Sequence, residues 1–297
     1  MRVVSLLPSA TEILHAIGAG DDVVGVTFEC DFPQTARTTA RVVSTSALPD
    51  GLTPAQIDAA VAERMRAGED IYRLDRQALL GLDADVVVTQ DLCAVCAVDV
   101  SEVHDALDFL GCTADVVTTD PSTLEAVWAS VEQIGRATGR LAEARRLASD
   151  LRERTAAVRR SVVGASPVRC LVLEWTDPPF APGHWVPEMV ETAGGVSVLG
   201  EVGAPSTRTT WDAVRACAPD VVVSAPCGFD LARSAELTRE LLAHAALPAG
   251  VPVWAVDANA SFARPGPRLA DGVEALAAIM HADHAGTPDP RIAVRLR

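Results

Sequence analysis

The chain has 297 residues, 49% of them hydrophobic, and a formal charge of −15, so it can bury a full core and by size makes roughly two domains. Its 40 acidic against 25 basic side chains argue against nucleic acid or an anionic membrane surface as partner, since both need clustered cations. Every one of those cations is arginine, which excludes lysine chemistry such as Schiff bases and Walker-type phosphate binding, and no apolar run approaches the ~20 residues of a membrane span.

In chain order, the opening run Val3 to Leu7 reads as a strand, Pro8-Ser9 breaks it and starts a helix, and Glu12 interrupts what would be the apolar centre of a signal peptide. The segment is therefore expected to belong to the fold, and the protein to be cytoplasmic. The seven cysteines, an odd number in a chain too large to need disulfide staples, fit a reducing compartment. Further strands are predicted near 23–27, 41–44, 85–89 and 114–117, with helices at about 9–18, 54–66, 75–81, 100–110 and 121–138.

Residues 141–163 carry Leu147, Leu151, Thr155 and Val158 at helical spacing with no Gly or Pro, and predict one long helix that Gly164 to Pro167 stops. The alternation restarts with strands at 168–174, 220–224 and 251–256 and helices near 186–193, 209–216, 231–243 and 268–281. The tail from Gly286 reads as a loose end. Strand-helix alternation throughout predicts an α/β fold: two α/β lobes with central parallel sheets, 1–140 and 165–297, joined by a backbone helix at 141–164, with a ligand cleft between them.

In such sheets ligands sit at the carboxyl ends of strands, so the loops after each strand carry the candidates. Phe28 to Pro33 contains Glu29, Cys30 and Asp31, and Gln90 to Val98 contains Cys93 and Cys96. A Cys-x-x-Cys suits a redox dithiol, half of a zinc site, or a pair with no chemical role. Cys30, Cys93 and Cys96 are the candidate metal ligands. Cys112, Cys170 and Cys217 lie in apolar patterns and read as small buried hydrophobes. After Glu174, Trp175, Phe180, His184 and Trp185 crowd one proline-stiffened loop, suited to stacking on a flat conjugated ligand, with His184 as a candidate axial metal ligand. Phe229 follows another strand, beside an Asp230 that reads as a helix cap, and Arg264 in Arg264-Pro265-Gly266-Pro267 is held ready for an acidic substituent.

Ser5-Leu6-Leu7-Pro8-Ser9-Ala10-Thr11-Glu12, together with 28–33, 90–98, 175–195 and the Arg-Pro-Gly-Pro-Arg turn at 264–268, resembles the vitamin B12-binding, helical-backbone metal receptor family, the class III solute-binding proteins of ABC importers. The resemblance implies a two-lobed, hinge-poor receptor for cobalamin or a related corrinoid, haem or metal chelate. Its ligand contacts would come from Pro8, Ser9, Glu29, Asp31, Trp175, Phe180, His184, Trp185, Phe229 and Arg264. A start without an export signal argues against docking on an ABC permease, leaving the small-molecule ligand as the expected partner. The alternative is a cytoplasmic enzyme on the same fold, in which Cys30, Cys93 and Cys96 act with Asp31, Asp177 and His184 as nucleophile and acid-base set, or a thiolate-bound metal site.

Overall fold

The computed structural model describes residues 1–90 and 113–297. Cys93, Cys96, Cys112 and the predicted helix at 100–110 lie outside the described residues. The chain forms two compact units, Met1–Pro121 with Ala126–Asp150, and Ser122–Glu125 with Leu151–Arg297. The division falls inside the helix Leu141–Ser161, continuous as the spacing predicts. Among the described residues no helix is long and apolar enough to cross a membrane.

The strands of the first unit are β1 (Val3–Ser5), β2 (Val23–Val26), β3 (Arg41–Val42), β4 (Ser44–Ser46), β5 (Tyr72–Leu74), β6 (Val86–Thr89) and β7 (Asp115–Thr118). Five of them make a sheet in the order β3-β2-β1-β6-β7, parallel throughout. Runs such as Val86-Val87-Val88 suit central parallel strands, which are covered on both faces and so need β-branched residues at successive positions. Helix Pro8–Ala16 opens with proline in its first turn, where the missing N–H costs nothing, and is buried from Pro8 to Leu14. The strand expected at 41–44 divides: β3 joins the parallel sheet, while β4 pairs antiparallel with β5.

The second unit contributes β8 (Val168–Leu173), β9 (Trp175–Thr176), β10 (Pro179–Ala181), β11 (Gly195–Ser197), β12 (Thr207–Arg208), β13 (Val221–Ser224), β14 (Val253–Val256) and β15 (Ala293–Arg295). Its main sheet runs β11-β8-β13-β14-β15, parallel except at the last pair. Leu171, Leu173, Val222 and Val253 centre its core.

Two expectations are corrected here. The tail after Gly286 is not loose: β15 pairs antiparallel with β14, Trp254 opposite Arg295 and Val256 opposite Ala293, and the Arg297 guanidinium donates to Val251 O at 2.8 Å. Pro288 and Pro290 mark the turn into this strand, and the run Ile292-Ala293-Val294 is too short to show a period. The aromatic loop after β8 is largely a hairpin, β9 with β10, extended by β12 into a three-stranded antiparallel sheet.

Candidate functional site

At the carboxyl end of β1 and β2 the first unit builds a buried polar cluster. Thr11 Oγ1, one turn into its helix, lies 2.8 Å from Ser5 Oγ and 3.0 Å from Cys30 Sγ, and Thr27 Oγ1 lies 3.1 Å from the same sulfur. Cys30 is buried, as are Pro8 and Ser9. Glu29 and Asp31 are half-buried. Glu29 accepts a 2.9 Å hydrogen bond from the Tyr72 hydroxyl, and the Tyr72 ring lies 5.9 Å from that of Phe28.

The carboxyl end of the second unit's sheet is aromatic. Trp175, just past β8, stacks on Phe229, from the loop after β13, with ring centroids 5.6 Å apart and planes inclined 22°. Offset stacking of this kind adds about 1 kcal/mol beyond the area it buries. Trp175 Nε1 is held by Asp177 O at 3.1 Å, and both rings remain part-exposed. Phe180, on β10, is part-exposed with the Arg208 guanidinium 6.0 Å over its ring.

His184 and Trp185 are neighbours, their rings 5.6 Å apart, yet they differ in setting. Trp185 is 5% exposed and its Nε1 donates to Phe262 O at 2.7 Å, the environment of a core residue. His184 is half-buried in a left-handed conformation (φ 50°), and burial holds its imidazole below the ordinary value of 6.5.

Arg264 is buried, and with Arg268 it acts electrostatically on Asp257. Burial still outweighs the two cations and lifts the Asp257 carboxyl above its ordinary value while it caps the helix Ala258–Ser261 through Ala260 N–H. Asp230 caps Leu231–Ala243 through Arg233 N–H at 2.9 Å, as its position predicts. Cys170 is wholly buried, with its thiol pushed up to about 12 by desolvation, and Cys217 donates to Val214 O at 3.2 Å. Cys227, between Pro226 and Gly228, is exposed.

One residue of this edge has no role expected from the sequence. Glu174 sits between β8 and Trp175, its carboxylate accepting from Gly183 N–H at 3.3 Å and from the Ser206 hydroxyl. Burial pushes its carboxyl up to about 7 against the pull of those two donors. An acidic residue directly after an apolar strand is the signal that marks it.

The sequence-predicted residues thus fall into two sets. Pro8, Ser9, Glu29, Cys30 and Asp31 belong to the first unit, and Trp175, Phe180, His184, Trp185, Phe229 and Arg264 to the second. Of the acid-base set, Asp31 and Cys30 lie in the first unit, Asp177 and His184 in the second. Among the described residues no group of three or more His, Cys, Asp or Glu is placed to hold a metal ion.

Comparison with known proteins gives a family. A model described as periplasmic binding protein matches residues 3–250. The vitamin B12-binding protein of Vibrio cholerae serotype O1 is 23% identical over 276 residues, 92% of this chain and 86% of its own. Among solved structures, the periplasmic vitamin B12 binding protein BtuF of V. cholerae matches with a TM-score of 0.64 at 22% identity, covering 93% of this chain and 94% of its own. A periplasmic heme binding protein from Pseudomonas aeruginosa matches at 0.71 and 18% identity, covering 98% and 96%. At such identities these structures establish the fold. The cytoplasmic expectation is corrected by the same findings, because the family model and these relatives are periplasmic proteins. That expectation rested on the opening segment, which forms β1 and the helix after it, and on the odd number of cysteines, and neither reports an address. With most of its length matched by the family model, the chain belongs to the periplasmic binding proteins.

Proposed function

We propose that this protein is an extracytoplasmic solute-binding protein whose ligand is a corrinoid or another flat tetrapyrrole, received on the aromatic edge of the second unit. The observation that carries this reading is the part-exposed Trp175–Phe229 stack at the carboxyl ends of β8 and β13, with Phe180 opposite Trp175 in the β9–β10 hairpin. Such a pair presents a rigid π-surface at small entropic cost, since each ring has two rotatable bonds. Arg208, over Phe180, supplies a cation for an acidic or amide-bearing substituent, and the buried Arg264 follows the short helix Ala258–Ser261 that Asp257 caps after β14. The likeness to vitamin B12-binding and heme-binding proteins supports the ligand class without choosing between its members. Delivery to an ABC permease follows from this reading as its partner.

Hydroxocobalamin, cobinamide and haemin titrated against the purified protein, followed by absorbance and tryptophan quenching, test it. Wild type is expected to bind at least one at micromolar concentration or below. Binding of none of the three sinks the tetrapyrrole reading and returns the thiol-centred enzyme as the better account.

A further inference from the structure

Glu174 bonds four segments around the aromatic edge. Its N–H donates to Phe180 O at 3.2 Å, within the β9–β10 hairpin, and its carbonyl accepts from Cys227 N–H at 2.9 Å, in the loop that leads to Phe229. Its carboxylate accepts from Gly183 N–H, in the turn that carries His184, and from Ser206 Oγ–H, just before β12. Turn and segment are in direct contact. His184 N–H donates to Ala204 O at 2.6 Å, Gly203 N–H returns a bond to His184 O at 2.9 Å, and a Cβ on Gly183 would stand 2.2 Å from Ser206 N.

Both side-chain partners of this carboxyl are neutral donors. A glutamine would satisfy them as well, so the feature that an acid adds at this position is ionisation. When ionised it is a half-buried charge facing a hydroxyl and an amide, and water competes for it. The titratable or charged groups on the surrounding elements are Asp177 on the hairpin, His184 on the turn, Glu201 and Arg208 on the segment, and Cys227 and Asp230 on the Phe229 loop. His184, held below 6.5 by burial, stays neutral above that pH.

We propose that Glu174 is a positioning residue for the ligand platform, and that its protonation state sets how firmly the Pro182–His184 turn and the 200–206 segment are clasped to the strand end presenting Trp175 and Phe229. The role in ligand binding rests on the reading of the site given above. The clasp is tighter when Glu174 is protonated, because closure strips water from the carboxyl and this outweighs the two hydrogen bonds that favour its ionised form, and it loosens as the carboxyl ionises. Because one proton is released on each opening, the open fraction rises about tenfold between pH 6 and 8 for a group that titrates near the middle of that interval.

Hydrogen exchange of peptides spanning 183–206, corrected for the intrinsic pH dependence of exchange, measures this without ligand. Wild-type protection is expected to fall about tenfold from pH 6 to 8, Glu174→Gln to stay protected and flat, and Glu174→Ala to be unprotected at every pH. Affinity for hydroxocobalamin or haemin should follow the same profile in wild type and lose it in Glu174→Gln. A flat wild-type exchange profile, or a Glu174→Gln profile that rises like wild type, overturns the proposal. If wild type binds neither probe, the ligand reading falls and the exchange profile alone decides the clasp.

Discussion

The carboxyl edges of the two parallel sheets solve the same geometric problem with opposite chemistry. In the first unit the strand ends are closed by small groups, Ser5, Thr11, Thr27 and Cys30, each within hydrogen-bonding distance of another and all buried. In the second they carry a part-exposed Trp175–Phe229 stack and an acid whose charge is disfavoured where it stands. A satisfied polar cluster rigidifies its surroundings, whereas part-exposed aromatics and a carboxyl whose charge is disfavoured by burial cost stability unless something binds or moves. The comparison teaches that equivalent strand ends in one fold can be closed by paired polar groups in one unit and left aromatic and part-exposed in the other.

The contrast is broken most severely by filling the space the clasp depends on. Gly183→Ala places a methyl 2.2 Å from Ser206 N and 2.6 Å from Ala204 O, backbone atoms that cannot swing aside. A loss of about 3 kcal/mol of stability is expected from overpacking of this kind, read as a fall in the denaturation midpoint. A variant as stable as wild type would mean the turn and segment are not held together as described.

The pH dependence of stability sharpens the same comparison. Burial raises the Glu174 carboxyl from 4.5 to about 7, so between these values the folded chain holds a proton that the unfolded chain has released. Its stabilising contribution is whole below about pH 4.5 and is lost as pH climbs through 7. The difference between wild type and Glu174→Gln should therefore grow by of order 2 kcal/mol from pH 5 to 8, each pKa unit being ~1.4 kcal/mol and the group being incompletely shielded from water. Thermal melts of the two proteins across that range check it; parallel curves would refute it.

On the recognition side, Trp175→Ala with Phe229→Ala is expected to weaken tetrapyrrole binding at least tenfold, ~1.4 kcal/mol, while leaving the fold intact. Isothermal calorimetry with the tightest of the three probes measures it, and unchanged affinity would move the site elsewhere. The smallest effect belongs to the sealed edge. Thr27→Val removes one partner of Cys30 and should cost about 1 kcal/mol of stability with no change in ligand affinity. A drop in affinity would show that the first unit's cluster takes part in recognition after all.

What the sequence discloses follows from the range over which each signal acts. Valine-rich runs such as 86–88 and 221–223 declare buried parallel strands by local composition alone, and the uninterrupted stretch 141–161 declares its helix. Strands of two or three residues, β9, β10, β12 and β15, carry no period to detect and exist because a partner strand supplies their hydrogen bonds. Trp185 reads as a ligand aromatic because its loop is polar and proline-rich. Its indole is in fact fixed by Phe262 O, 77 residues along the chain, a pairing that no local pattern announces. Glu174 was visible as an acid beside an aromatic, but its ionisation depends on Gly183 and Ser206 closing over it.

The antiparallel strand Ala293–Arg295 has a consequence for how the protein behaves in concentrated solution. It occupies the hydrogen-bonding edge of Val253-Trp254-Ala255-Val256, an apolar strand whose main chain would otherwise lie open. An uncovered edge of that composition is a template for strands from other molecules. Loss of β15, by proteolytic nicking near Pro288–Pro290 or by truncation, should therefore show itself as self-association of the second unit before any loss of its internal packing.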